Sequence, residues 1–217
     1  IGHYWILRPY DEWNTRFIAF LHLGAYWLIS LLITIQTLWW LESNMIYGLW
    51  VQLSFALVPA VLMALIYEGR AIWPWPIRVH PHWYLHIAQI PIVTFLVFWF
   101  WGMNLNEDGN IREWRYWVLL NPMDITMGLL MLLWWRWLRN PVPNTQGRYW
   151  RFEFAPALLG LSLFLWLNAQ WLRYAHHYLD IPFNENALWA SSYVQTGLSI
   201  LWSIIGLASM VWGTRRS

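Results

Sequence analysis

Between Phe17 and Leu41 the chain carries no Asp, Glu, Lys or Arg, and the same holds for Ser43–Tyr67, Val79–Asn106, Phe154–Leu172 and Asn186–Thr214. A further apolar run, Trp117–Leu138, is interrupted only by Asp124 and by Arg136 near its end. Roughly 20 apolar residues of helix cross the hydrocarbon core of a bilayer. Lipid offers no water to a backbone amide, so each run must satisfy its own amides, as a helix does. The expected fold is therefore all-α and polytopic, a bundle of about six transmembrane helices. The spans are expected at about residues 17–41, 45–67, 83–103, 117–138, 154–177 and 187–212, in one transmembrane domain over residues 1–217. The chain starts at Ile1, which points to a processed product or a piece of something larger, and the first run is long enough to span rather than serve as a signal peptide.

Charge assigns an orientation. All 13 basic residues are Arg. Six spans put both termini on one side, together with Arg8, Arg16, Arg70, Arg78, Arg136, Arg139, Arg148, Arg151, Arg215 and Arg216; only Arg112, Arg115 and Arg173 fall on the other. The positive-inside rule makes the arginine-rich side cytoplasmic. No basic patch exceeds what topology explains, so nucleic acid is not an expected partner. The expected partners are the lipid bilayer and other membrane protein subunits. The 22 Trp cluster near run ends, as in Trp39-Trp40 and Trp134-Trp135, where an indole anchors at the headgroups; a sugar-stacking surface is the sharper alternative. There is no Cys, which removes disulfides, thiolate metal sites and cysteine nucleophiles.

The linkers carry breaker signals. Trp73-Pro74-Trp75-Pro76 reads as extended, and Asn140-Pro141-Val142-Pro143-Asn144 as a turn-rich cytoplasmic loop. Asn106–Trp117 mixes charged residues with Ile111, Trp114 and Trp117, as an interfacial helix on the outer face does.

Three groups of residues could carry chemistry. Asp124 is an ionisable residue at the start of a span. It is either part of a site or a helix-capping residue, since Asn121 suits the N-cap, Pro122 the first helical position and Asp124 the third. Arg173, His176 and His177 lie at i, i+3 and i+4 and share one helical face at the outer end of the fifth span. An Arg there could hold an anion and a His could move a proton, or the three could form a polar rim. Asn168 and Gln195 lie within the fifth and sixth spans and either bind or bridge helices. His22 and His86 sit at one depth on the first and third spans, where two imidazoles could ligate a haem or stay as neutral, hydrogen-bonded residues. Gly-rich phosphate loops, nucleophile elbows and zinc-protease helices are absent from the sequence.

The stretch Leu167–His177, with Asn168, Arg173 and the His176-His177 pair, is followed by Ile181-Pro182-Phe183 and then by Val194-Gln195 and Ser199-Ile200-Leu201-Trp202. With Leu119–Asp124 and Trp73–Pro76, this resembles domain of unknown function 2339, a family of multi-pass bacterial membrane proteins, over roughly residues 73–202. The resemblance implies a bacterial inner membrane and gives no activity or cofactor. The chain departs from the family pattern at Asp180, where a small Gly-like residue is usual, and at Phe183, near which Trp is common.

The resulting expectation is an outward-facing site for a cell-envelope intermediate such as a lipid-linked saccharide. In it Arg173 holds an anionic group, His176 or His177 moves a proton, Asp124 orients or accepts, and Asn121, Asn168 and Gln195 supply hydrogen bonds. The alternative is a structural or accessory subunit of a membrane complex, with haem binding and transport as further alternatives.

Overall fold

The computed structural model describes residues 15–44, 46, 48–69, 72, 75–111, 114–139 and 153–215. These form α1 (Thr15–Ser43), α2 (Leu49–Gly69), a π-helical turn (Trp83–Ile87) leading into α3 (Gln89–Asn106), α4 (Pro122–Arg139), α5 (Ala155–Tyr178), the short α6 (Glu185–Ala190) and α7 (Ser192–Thr214). Among the described residues there is no strand, only an isolated bridge between Ile111 and Trp114. The Asn140–Asn144 loop, Trp73-Pro74 and the arginines at 8, 70, 112, 148, 151 and 216 lie outside the described residues.

Among the described residues, five segments are long and apolar enough to cross a membrane: Phe17–Ser43, Leu49–Gly69, Trp83–Asn106, Ala155–Tyr178 and Ser192–Thr214. Helix α4 is not among them, because its 18 residues include Asp124, Arg136 and Arg139. Those charges sit only in its first and last turns, and Ile125–Trp135 between them is uncharged. At about 1.5 Å per residue α4 is roughly 27 Å long, close to a hydrocarbon core.

Cross-links between helices fix how they alternate. Gln52 in the first turn of α2 donates to Glu107 just past the end of α3 (2.9 Å), so α2 and α3 run antiparallel. Arg136 near the end of α4 pairs with Glu68 near the end of α2 at 2.6 Å, so these two run parallel. Arg173 near the end of α5 reaches Asp124 in the first turn of α4 (3.0 Å), and Trp171 reaches Val194 in the first turn of α7 (3.1 Å). Helix α4 thus runs the height of its neighbours, with its N-terminus among the ends of α3 and α5 and its Trp137 indole donating to Leu85 O at 2.9 Å at the opposite end.

The core lies where α2, α3 and α4 meet: Leu53, Ala56 and Met63 pack with Leu96 and Phe100 and with Met123, Met127 and Leu130, all nearly inaccessible. Helix α1 packs on α2 and α7 on α5, and they expose Leu31, Ile35, Ile204, Leu207 and Met210. Outward-facing apolar side chains suit lipid, where water would penalise them.

Two linkers differ from expectation. The described part of Asn106–Trp117 is not helical beyond Asn106. Gly109 turns the chain with φ +78°, the Asp108 carboxylate caps Asn110 N at 2.8 Å, and Ile111 and Trp114 bridge. A left-handed glycine breaks a helix before its apolar face can form. Trp75-Pro76, the described half of the run expected to be extended, opens a series of turns over residues 75–79; Ile77 is buried and His80 N donates to Pro76 O at 3.0 Å.

The π-helical turn frees backbone carbonyls for side chains. Ala88 N bonds back to Trp83 O at 2.8 Å, and Ala88 O, Tyr84 O and Leu85 O accept from Trp27 Nε1 (2.9 Å), Gln89 Nε2 (2.7 Å) and Trp137 Nε1 (2.9 Å).

Candidate functional site

The Asn121-Pro122 pair starts α4. Pro122 is its first residue, and the Asn121 side chain accepts from Met123 N at 2.9 Å while donating to Gly109 O at 2.7 Å. This relieves one unpaired amide of the first turn and pins the 107–111 loop against the helix. Capping thus falls to Asn121, and Asp124 turns inward. Its carboxylate meets Arg173 Nη1 at 3.0 Å, Gln170 Nε2, and the Tyr116 hydroxyl at 3.3 Å. Arg173 is wholly enclosed: Nε donates to Glu107 O (3.1 Å), and Nη2 to Asn104 Oδ1 (3.2 Å) and Met103 O (3.5 Å). Its side chain is 0% exposed and that of Asp124 1%. The guanidinium expected to hold an anionic ligand is therefore spent on the protein itself, binding α3, α4, α5 and the 107–111 loop together.

The same helical face carries the histidines to the rim. His176 places Nδ1 on Ile181 O at 2.8 Å and Nε2 at 3.4 Å from an Asp108 carboxylate oxygen. His177 places Nε2 on Asp108 O at 2.9 Å, and its ring stacks on Tyr116 with centroids 4.1 Å apart. A carbonyl only accepts, so Nε2 of His177 carries a hydrogen and Nδ1 is the ring nitrogen not committed to Asp108. His177 is half-buried.

Asp124 and His177 are therefore linked through one residue. Tyr116 puts its hydroxyl on the Asp124 carboxylate and its ring under His177, and its backbone carbonyl accepts from Tyr178 at 2.9 Å. Burial, and after it the Asp124 charge, pushes the Tyr116 phenol well above its ordinary range, so it stays a donor.

The remaining sequence candidates lie apart from this cluster. Asn168 accepts from Trp202 Nε1 at 2.7 Å and donates to Phe164 O at 2.7 Å, a bridge between α5 and α7. Gln195 is exposed and donates to Trp189 O. His22 meets the Tyr84 hydroxyl at 2.7 Å among the rings of Trp75, His80 and Trp83, whereas His86 packs beside His82 and Trp137. The two rings that could have ligated a haem thus sit in separate aromatic settings, and His22 is hydrogen-bonded, as the alternative had it. Among the described residues, no three His, Asp or Glu side chains converge as a metal site.

Sequence reasoning passed over Asn104, Asp108 and Tyr116, which complete the cluster. Gln170 carried a signal, since it lies three residues before Arg173 on the same face. Asp180 has φ +54°, a left-handed conformation that explains why a Gly-like residue suits that turn.

Comparison with curated proteins and with solved structures finds no match. The family described as "Predicted membrane protein (DUF2339)" matches residues 1–217. The chain is accordingly a member of this family, and its helices are those of a polytopic membrane protein.

Proposed function

We propose that the chain is a helical unit of the bacterial inner membrane, with both termini cytoplasmic and α4 as a sixth span. Its polar end faces outward and binds a cell-envelope intermediate, a lipid-linked saccharide, with His177 as proton acceptor. The observation that carries this reading is the His177 ring: Nε2 is tied to Asp108 O at 2.9 Å, the ring is clamped on Tyr116, and Nδ1 is left as the basic nitrogen. Arg173 and Asp124 act through Tyr116 as positioning residues. The arginine bias supports the sidedness. The exposed indoles of Trp114 and Trp117, on either side of Tyr116 in the sequence, offer apolar faces for a sugar ring.

Diethylpyrocarbonate acylates an accessible neutral imidazole, which gives a direct test in nanodiscs at pH 7. His177 should be modified, and a short-chain polyprenyl-phosphate monosaccharide should protect it. His177→Gln should weaken binding of that lipid at least tenfold while the protein still elutes folded, its melting temperature lowered only by the loss of the Tyr116 stack. An unmodified His177, or lipid binding unchanged in His177→Gln, would sink the proposal.

A structural or accessory subunit is the second reading, favoured by the saturation of Arg173 and by the apolar faces of α1 and α7. In that case a second membrane protein co-purifies, and Arg173 variants lose it while His177→Gln does not.

A further inference from the structure

The loop after α3 and the turn after α5 meet at one side chain. His176, in the last turn of α5, places Nδ1 on Ile181 O at 2.8 Å. Its Nε2 lies 3.4 Å from Asp108 Oδ2, with the two side chains 27% and 30% exposed. The other carboxylate oxygen, Asp108 Oδ1, is taken by Asn110 N at 2.8 Å, so the turn itself aims Oδ2 at the ring.

Both ring nitrogens of His176 thus face acceptors. The Ile181 carbonyl can only accept, so Nδ1 carries a hydrogen. A neutral imidazole has one N–H, which leaves a lone pair at Nε2 facing a negative oxygen. A second proton turns that repulsion into a charge-assisted pair, with both nitrogens donating. The neighbouring groups do not supply this proton's charge in its place. Arg173, one turn earlier on α5, is held by Asp124, Asn104 and two backbone carbonyls. His177, whose ring centroid is 4.7 Å away, has its Nε2 on Asp108 O. Glu107, beside Asp108, accepts from Gln52 at 2.9 Å. The turn after α5 offers the Ile181 carbonyl and the Phe183 ring (centroids 5.7 Å apart), while its acids Asp180 and Glu185 are exposed.

We propose that His176 is a proton-operated clasp. Doubly protonated, it ties the 107–111 loop to the turn after α5; neutral, it keeps Ile181 and releases Asp108. Acid therefore stiffens this end of the bundle and neutral conditions loosen it. The clasp is separate from lipid binding at His177 and stands whether or not that reading holds.

The test is amide hydrogen exchange, read by mass spectrometry on the full chain in nanodiscs, in peptides covering residues 107–111 and 179–184. Rates at about pH 5 and about pH 8, which bracket the charge change of a histidine, are divided by the intrinsic rate at each pH. Wild type should be protected about fivefold more at the lower pH, the scale of one partly exposed ion pair. His176→Gln should show no such step. Asp108→Asn should show none either, because its amide donates to the neutral ring and keeps the clasp shut at both values. His177→Gln should keep the step. A wild type without the step, a step surviving in His176→Gln, or a step lost in His177→Gln would each overturn the proposal. Should His176→Gln misfold, Asp108→Asn decides, and a step surviving there overturns it as well.

Discussion

Replacing Arg173 with Met removes the positive half of a pair that is 0% and 1% exposed. It leaves the Asp124 carboxylate with two donors, Gln170 and Tyr116, and strips a donor from Glu107 O, Met103 O and Asn104. Breaking a buried pair from one side costs about 3–5 kcal/mol, because the surviving charge is stranded. Asp124→Leu should cost at least as much, since a guanidinium cannot shed its charge whereas a carboxyl can take up a proton. The double variant strands no charge. What remains is a set of unpaired neutral groups at about 1–3 kcal/mol each, partly repaid by apolar packing. Its loss should therefore fall short of the sum of the single losses by about 2 kcal/mol or more. Unfolding by sodium dodecyl sulfate in mixed micelles, followed by far-ultraviolet circular dichroism, gives the four free energies of the cycle. Independent sites add within about 0.3–0.5 kcal/mol. Additivity of that quality, or single losses below about 1 kcal/mol, would refute the view that the pair holds α3, α4 and α5 together.

Three further outcomes follow from geometry. A Cβ at Gly197 would lie 2.0 Å from the Trp171 ring, so Gly197→Ala should cost about 1–3 kcal/mol and loosen α7 from α5, read as faster proteolysis of the last helix. Tyr116 has a raised pKa in the folded state, so its stabilising share is complete below about pH 10 and declines as pH rises further, by about 1.4 kcal/mol per unit; Tyr116→Phe should be less stable at pH 7 but lose less on going from pH 10 to pH 11, and equal alkaline loss in both proteins would contradict this. Leu119 and Asp180 have φ +64° and +54°. A left-handed L-residue costs about 1–2 kcal/mol, less for Asp, set against about 0.4–1 kcal/mol of extra chain entropy for Gly, so Leu119→Gly should raise the melting temperature more than Asp180→Gly.

The helical bundle was legible because charge-free runs of membrane-spanning length have few folds open to them. The start of α4 was legible too, because Asn121-Pro122 is local chemistry and needs no knowledge of the rest of the chain. Asp124 shows where this stops. Its position as third residue of a helix was readable, but its partner lies 49 residues away, on α5. Arg173 similarly looked available for a ligand because it ends a span. Only the packing of α3 beside α5 shows that Asn104 and two carbonyls fill its other donors. Tyr116 gave no signal of its own, as one aromatic among many in a linker that read as an amphipathic helix. Its role depends on the Gly109 turn, which brings that linker back over the bundle.

The π-helical turn at Trp83–Ile87 also bears on movement. Its Leu85 carbonyl holds Trp137 of α4, and the carbonyl of Ala88, just past it, holds Trp27 of α1, while the Arg173 cluster holds α3, α4 and α5 at the far end. Helix α4 is thus fastened near both of its termini, with an uncharged stretch between. Carrying a solute by rocking one set of helices against another requires an interface that opens alternately at its two ends. Here a tilt of α4 against α3 breaks buried hydrogen bonds whichever way it goes, and an axial slide breaks both sets together. The hydrogen bonds at both ends thus tie α3 and α4 into one strut.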